Sequence, residues 1–432
     1  MAGGEQNAPR HRRLITAGVS AGVVVVALLA GTAATLAVAG STPRPGWFLA
    51  AGAAVFVAVA LGLGLARALA RRGRRRGVAS VVAPALVLLV LLAVALVPPS
   101  VPPTTPAPGT LVTLPDGAQL QVVALPAQGP VTGPPIVVLH GGPGIPELAA
   151  NVAALGPLTS SGREVVLYAQ RGAGTSTRLD DPRGYGREAD VDDLEALRHV
   201  LGIDRMVLLG HSHGAAVAAA YTAAHRDRVD RLVLISPAPL DPADTSPTRA
   251  AAGLGLSRRV ELYGRVLAPR ALLGYLLLQT NPPAAHAFLG DAEADRRNDT
   301  VLTLAQPALF CHDPPPGTPP VTGSGFYALQ YPQSATAAPP SDLRPAVAGL
   351  PTPALIVKGG CDYLSWRSAL DYRAALVHAQ VLYLPDAGHN AHHERPEATR
   401  AAVEAFLDGR SPSGTVIAPE TTTPPIGYRG PH

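Results

Sequence analysis

The sequence predicts an α/β fold on a membrane anchor: a mainly parallel, doubly wound sheet, interrupted by a helical insertion and preceded by three transmembrane α-helices. Three observations predict it. Three stretches in the first hundred residues each run for about twenty residues without a charge, enough to cross a hydrocarbon core. Past residue 109, short β-branched runs alternate with amphipathic segments, the rhythm of βαβ units. That rhythm stops between residues 241 and 350 and then resumes.

The chain has 432 residues, 47% of them hydrophobic and 15% charged. It is too apolar for a disordered protein and too poor in charge for a coiled coil. Its length allows two or three folded units. Charge is split along the chain. Residues 1–100 carry ten arginines against Glu5, while the remainder is net acidic. The arginines flank apolar runs and form no stripe on a folded domain, which excludes a nucleic-acid partner.

The spans are Leu14–Ala39, Trp47–Ala66 and Val78–Val97. Arg10, Arg12 and Arg13 precede the first, and Arg67, Arg71, Arg72, Arg74, Arg75 and Arg76 lie between the second and third. The loop between the first two has only Arg44. By the positive-inside bias the N-terminus is cytoplasmic and everything past Pro98 lies outside, in a multi-pass protein of the cell membrane with the lipid bilayer as a partner. A twin-arginine export signal at Arg12-Arg13-Leu14 would have a shorter apolar core and leave two spans unexplained. Gly18 and Gly22 make a small-residue pattern suited to close helix packing. Residues 1–98 are thus the anchor, and Pro-rich residues 99–108 a stiff linker.

The remainder divides into a core of 109–240 and 351–410, an insertion or lid of 241–350 and a disordered Pro/Thr-rich tail of 411–432. Leu111–Leu125 reads as a hairpin around Asp116-Gly117. Ile136–Leu139, Val165–Ala169, Met206–Leu209, Leu232–Ile235, Ala354–Val357 and Val381–Leu384 read as buried strands. Glu147–Leu158, Asp190–Leu201, Ala215–His225, Ser365–Val377 and Pro396–Leu407 read as the helices between them. In such a sheet the site lies at the strands' carboxyl ends.

Gly210-His211-Ser212-His213-Gly214 falls between a strand and a helix, where flanking glycines permit the tight elbow that exposes a nucleophilic serine. Ser212 is the candidate nucleophile. It needs a histidine to take its proton and an acid to fix that histidine's tautomer. Asp362 and His389 follow in the required order, each in the loop after a different strand. Asp386 is the alternative acid, and His392 or His393 the alternative base. The histidines lack the spacing of a helix-borne zinc site, and no metal or organic cofactor is implied. His211 and His213 shape the pocket. His140-Gly141-Gly142-Pro143-Gly144 follows a strand and can aim backbone N–H groups at an oxyanion. Gly142 is the preferred donor, Gly141 the reserve and His213, after the nucleophile, the second donor. No Gly-Lys-Ser/Thr follows, which excludes a phosphate cradle.

His140–Gly144 (HGGPG), Gln170–Ser176 (QRGAGTS), Val191–Gly202 (VDDLEALRHVLG) and the Ser212 elbow, in that order, resemble the proline iminopeptidase branch of the α/β-hydrolase superfamily. The likeness covers about 110–410. It implies an α/β-hydrolase fold with a helical lid and a serine aminopeptidase that releases an N-terminal residue, often proline, from peptides. Two positions depart from the family pattern: Ala169 replaces the Asp before Gln-Arg-Gly, and the elbow reads GHSHG rather than GGSWG. The resemblance also implies lid carboxylates for the substrate's free amine, with Glu261 and Glu293, and next Asp291 and Asp295, as candidates. Cys311 and Cys361 are the only cysteines, and outside the membrane they are expected to pair. The alternatives are an esterase or lipase acting on small acyl esters, and a scaffold with a vestigial site, against which the intact Ser, Asp and His argue.

Overall fold

The computed structural model describes residues 7–70, 74–101, 108–315 and 317–432. The side chains of residues 7–16 and 74–77, Arg71, Arg72 and the linker residues 102–107 fall outside the description, so the arginines used to orient the spans are covered only at Arg44 and Arg67. The chain forms two compact units, one of residues 1–100 with Leu267–Gly290, the other of residues 101–266 with 291–432.

In the first unit, the apolar runs form helices α1 (Asn7–Ala39), α2 (Pro45–Ala70) and α3 (Arg74–Ala95). Ala17–Ala39, Pro45–Ala70 and Val78–Ala95 are long and apolar enough to span a membrane. The close approach of α1 and α2 is made by Gly31 and Gly52, not by Gly18 and Gly22, which have open space around them. A Cβ on Gly31 would lie 2.9 Å from the Gly52 carbonyl oxygen. The insertion is divided between the units. Helices α8 (Pro269–Leu278) and α9 (Pro282–Phe288), separated from α7 (Leu256–Val266), pack with the N-terminal helices. Arg270 donates to the Leu96 carbonyl at 2.8 Å, Asn281 donates to the Ala39 carbonyl at 2.7 Å, and Phe288 meets Phe48 edge to face.

The second unit is built on one sheet of nine strands in the order β1-β2-β4-β3-β5-β6-β7-β8-β9. These are β1 (Thr110–Thr113), β2 (Gln119–Leu125), β3 (Ile136–Leu139), β4 (Val165–Tyr168), β5 (Met206–His211), β6 (Val229–Ile235), β7 (Ala354–Gly359), β8 (Ala379–Leu384) and β9 (Thr415–Ile417). From β4 to β8 all neighbours are parallel, while β1, β2 and β9 add antiparallel edges. The central strands are continuous apolar runs because both faces are covered. Val137, Leu139 and Leu208 turn to one face, where α5 (Arg187–Val200), α6 (His213–Ala224) and α13 (Trp366–Ala375) contribute Leu194, Tyr221 and Tyr372. Ile136, Val138 and Leu209 turn to the other, where α4 (Leu148–Leu155) and α15 (Pro396–Leu407) bring Leu155 and Phe406. The remaining helices are α10 (Asp291–Ala305), α11 (Phe326–Gln330), α12 (Arg344–Val347) and α14 (Ala391–Glu394).

Residues 411–432 correct the expectation of a disordered tail. They add β9 to the sheet edge, and the segment after it folds back over the loop that follows β7. The Arg429 N–H donates to the Gly360 carbonyl at 2.7 Å, the Trp366 N–H donates to the Pro431 carbonyl at 2.8 Å, and the Tyr428 ring stands edge-on to Trp366. Pro/Thr-rich composition suggests disorder when a segment has no partner; here strand edge and loop carbonyls supply one.

Candidate active site

Strand β5 runs directly into α6 through Ser212, whose φ of 52° and ψ of −116° are costly for any residue but glycine. The two flanking glycines make this turn sterically feasible. A Cβ on Gly210 would lie 2.6 Å from Ala215 Cα, and one on Gly214 would lie 2.6 Å from the His140 carbonyl. The Ser212 N–H donates to the Ile235 carbonyl at 3.0 Å, which ties the elbow to the next strand.

Asp362 and His389 leave the carboxyl ends of β7 and β8 and meet. His389 Nδ1 lies 2.8 Å from Asp362 Oδ1, with both side chains buried. With Nδ1–H donating to the carboxylate, the lone pair of the imidazole is on Nε2. Asp362 Oδ1 also accepts the Leu364 N–H at 3.1 Å, and Oδ2 accepts from Lys358 Nζ at 2.7 Å. Burial alone would raise this carboxyl, but the Lys358 ammonium and then His389 hold it far below the usual carboxylate range. Tyr363 packs against this pair, with its ring centroid 4.4 Å from that of His389.

The competing residues lie elsewhere. Asp386 is exposed. His392 and His393 both turn their Nε2 atoms to Asn151 Oδ1, each at 3.0 Å. Burial keeps both neutral, His393 down to about 4. His211 lies behind His389: its Nε2 is 3.2 Å from the His389 carbonyl, and the two rings are 4.8 Å apart. The His213 side chain turns to Asp190 Oδ2 at 2.9 Å.

The glycine loop lies against the elbow. A Cβ on Gly141 would come within 3.2 Å of Ser212 Cβ, and Gly142 has a φ of 116° that favours glycine. His140 fastens this loop to the next one. Its Nδ1–H donates to the Gly141 carbonyl at 2.8 Å and its Nε2 accepts the Gln170 N–H at 2.9 Å. Burial, the largest effect, pushes this imidazole down to about 4, so it stays neutral. Arg171 then grips Asp193 with two bonds, at 2.9 and 2.6 Å, and Asp116 with a third at 2.7 Å. The HGGPG and QRG segments therefore form one bonded unit beside Ser212.

The alpha/beta hydrolase fold pattern matches residues 134–396, more than half of the chain and all of the loops just described. The chain belongs to the alpha/beta hydrolase fold family. The chain is 37% identical over 105 residues to the proline iminopeptidase of Heyndrickxia coagulans, covering 24% of this chain and 35% of that protein. Over 121 residues it is 38% identical to the (lyso)-N-acylphosphatidylethanolamine lipase of Bos taurus, covering 27% of this chain and 34% of that one. The matched part thus spans about a third of each relative. The esterase from Exiguobacterium antarcticum shares its fold, with a TM-score of 0.50 at 18% identity over 70% of this chain and 100% of that one.

Three of the carboxylates expected to bind a substrate amine are engaged by, or lie beside, arginines. Glu293 is buried and ion-paired with Arg297 at 2.8 Å, and Glu261 is exposed beside Arg265 at 3.5 Å. Asp295 accepts from Arg178 and from the Phe326 N–H; burial pushes its carboxyl up to about 6 against the pull of Arg178. Cys311 and Cys361 form a disulfide with Cα atoms 5.1 Å apart, joining the inserted segment to the loop of Asp362. Three residues near the site escaped the sequence reading. Tyr363 and Lys358 both neighbour Asp362. The third is Glu147, whose backbone has a φ of 39° and whose half-buried carboxyl is pushed by desolvation up to about 7. Lys358 had a signal, a lone cation at the end of the apolar run Ala354–Val357.

Proposed function

We propose that the protein is a membrane-anchored serine hydrolase, an aminopeptidase of proline iminopeptidase type that releases N-terminal residues from peptides on the outer face of the cell membrane. The observation that carries this reading is the buried hydrogen bond from His389 to Asp362 beside a serine held in a strained elbow. In the proposed mechanism His389 Nε2 takes the Ser212 proton as Oγ attacks the scissile carbonyl, and the imidazolium stays paired with Asp362. Backbone N–H groups of Gly142 or Gly141 and of His213 stabilise the oxyanion. The imidazolium returns its proton to the leaving amine, and water, activated by the same histidine, hydrolyses the acyl-enzyme.

Similarity to proline iminopeptidases through the HGGPG, QRG and elbow segments supports the peptide substrate. The Arg297 and Arg265 pairs of Glu293 and Glu261 weigh against those two acids as ligands of the substrate amine. A second reading, a lipase-type esterase, is favoured by the similarity to the lipase relative and by three helices long enough for a bilayer. Hydrolysis of proline p-nitroanilide and of a lysophospholipid, assayed with full-length protein, separates the two. Faster turnover of the anilide supports the aminopeptidase; turnover of the lipid alone overturns it. Ser212→Ala is expected to lower either activity by 10⁴-fold or more with an unchanged thermal melt.

A further inference from the structure

We propose that Lys358 is a positioning residue of this site, whose ammonium holds the Asp362 carboxylate in register for His389 and sets the pH at which His389 becomes available as a base. The inference rests on the serine-hydrolase reading and deepens it. Lys358 is the only lysine in the chain and one of its most deeply buried side chains. It stands at the next-to-last position of β7, among Ala354, Leu355, Ile356 and Val357. Its Nζ donates to Asp362 Oδ2 at 2.7 Å and to the Leu364 carbonyl at 3.0 Å. Asp362 Oδ1 is thereby left to His389 Nδ1 and the Leu364 N–H. Each carboxylate oxygen has a separate duty, and rotation of the carboxylate would break bonds on both sides.

Stability alone gives no reason for this arrangement. Burying an ammonium is costly, and an apolar side chain would fill a strand interior as well or better. The charge is explained by its effect on Asp362. A carboxylate facing only an imidazole favours the imidazolium in full, whereas a cation on its other oxygen offsets part of that pull. Among the described residues, His211 packs against His389 with ring centroids 4.8 Å apart, His392 also acts on it, and burial keeps both of these imidazoles neutral. Asp244 lies close enough to act on the ammonium and is itself bonded to Ser365, and the Tyr363 and Tyr428 phenols act on Asp362. Among the described residues Lys358 is the only lysine or arginine paired with Asp362.

The test uses the full-length chain in detergent and the variants Lys358→Met, Lys358→Gln and Lys358→Arg. Two probes report on Ser212 and do not depend on the natural substrate: the rate of labelling by a fluorophosphonate and the hydrolysis of p-nitrophenyl acetate, each from pH 4 to 9. Loss of the cation strengthens the hold of Asp362 on the imidazolium, so the acidic limb of the pH–rate profile is expected to move upward in the Met and Gln variants. A unit charge ~7 Å away in an effective dielectric constant of ~20 corresponds to a shift of about one pH unit or more. Lys358→Arg keeps the charge and is expected to keep the limb near its original position. A purely structural lysine would instead lower the rate equally at every pH. If Lys358→Met does not fold, as judged by its thermal melt, Gln against Arg makes the same comparison. A limb that stays fixed in folded Met or Gln variants overturns the inference while the serine-hydrolase reading stands. A parent chain that takes no label at Ser212 overturns both.

Discussion

At the scale of single residues, the site depends on groups that the environment holds in one protonation state. His140 is a clear case, because its neutral form both donates to Gly141 and accepts from Gln170. Its pKa is lowered from 6.5 to about 4. The unfolded chain therefore binds the extra proton first as the pH falls from 6.5 towards 4, and stability present above pH 6.5 is lost in that window. Between pH 7 and pH 5 this residue is expected to cost about 2 kcal/mol. Denaturant titrations of the parent and of His140→Gln should show a shallower fall with acid in the variant; parallel curves would remove His140 from the account. Ser212, Asp362 and His389 were legible because each follows an apolar strand and the order along the chain is characteristic. Tyr363 and Lys358 were not, since their approach to Asp362 is set by the turn after β7, which no periodicity describes.

At the scale of elements, the loop after β7 is fastened from two directions that sequence reading treats differently. The Cys311–Cys361 disulfide closes a separation of 50 residues. Replacing both cysteines by serine is expected to lower stability by about 2–4 kcal/mol. The loss should appear as an earlier denaturant midpoint. The second fastening is the C-terminal strap, where Tyr428 donates to the Leu364 carbonyl and Arg429 donates to the Cys311 sulfur. Tyr428→Ala is expected to cost about 1–3 kcal/mol, and ending the chain at residue 410 to lower kcat/KM by tenfold or more. Unchanged kcat/KM after truncation would mean that the strap only covers the loop. The strands and core helices were readable from apolar runs and their period. The strap was not, because a three-residue edge strand and backbone hydrogen bonds to Gly360 leave no hydrophobic pattern.

At the scale of the whole molecule, the chain joins an α/β-hydrolase unit to three helices of membrane-spanning length, and the joining is not a matter of one linker. Leu267–Gly290 belongs by its contacts with the N-terminal helices, through Arg270 to Leu96, Asn281 to Ala39 and Phe288 to Phe48. Sequence rhythm marks this stretch as helical but cannot name a partner more than 170 residues upstream. Deleting residues 1–100 alone should strip α8 and α9 of their cover and give aggregating protein. Replacing residues 267–290 by a short Gly/Ser linker in the same deletion should restore solubility, measured by gel filtration without detergent; equal behaviour of the two forms would contradict the shared unit. The central claim is that Ser212 is activated by His389. Its most direct measurement is intact-mass and peptide mass spectrometry after fluorophosphonate treatment, comparing the parent chain with His389→Ala. One adduct on Ser212, formed at least a thousandfold more slowly in the variant, is the predicted result. An adduct on another residue, or equal rates in the two proteins, would contradict it.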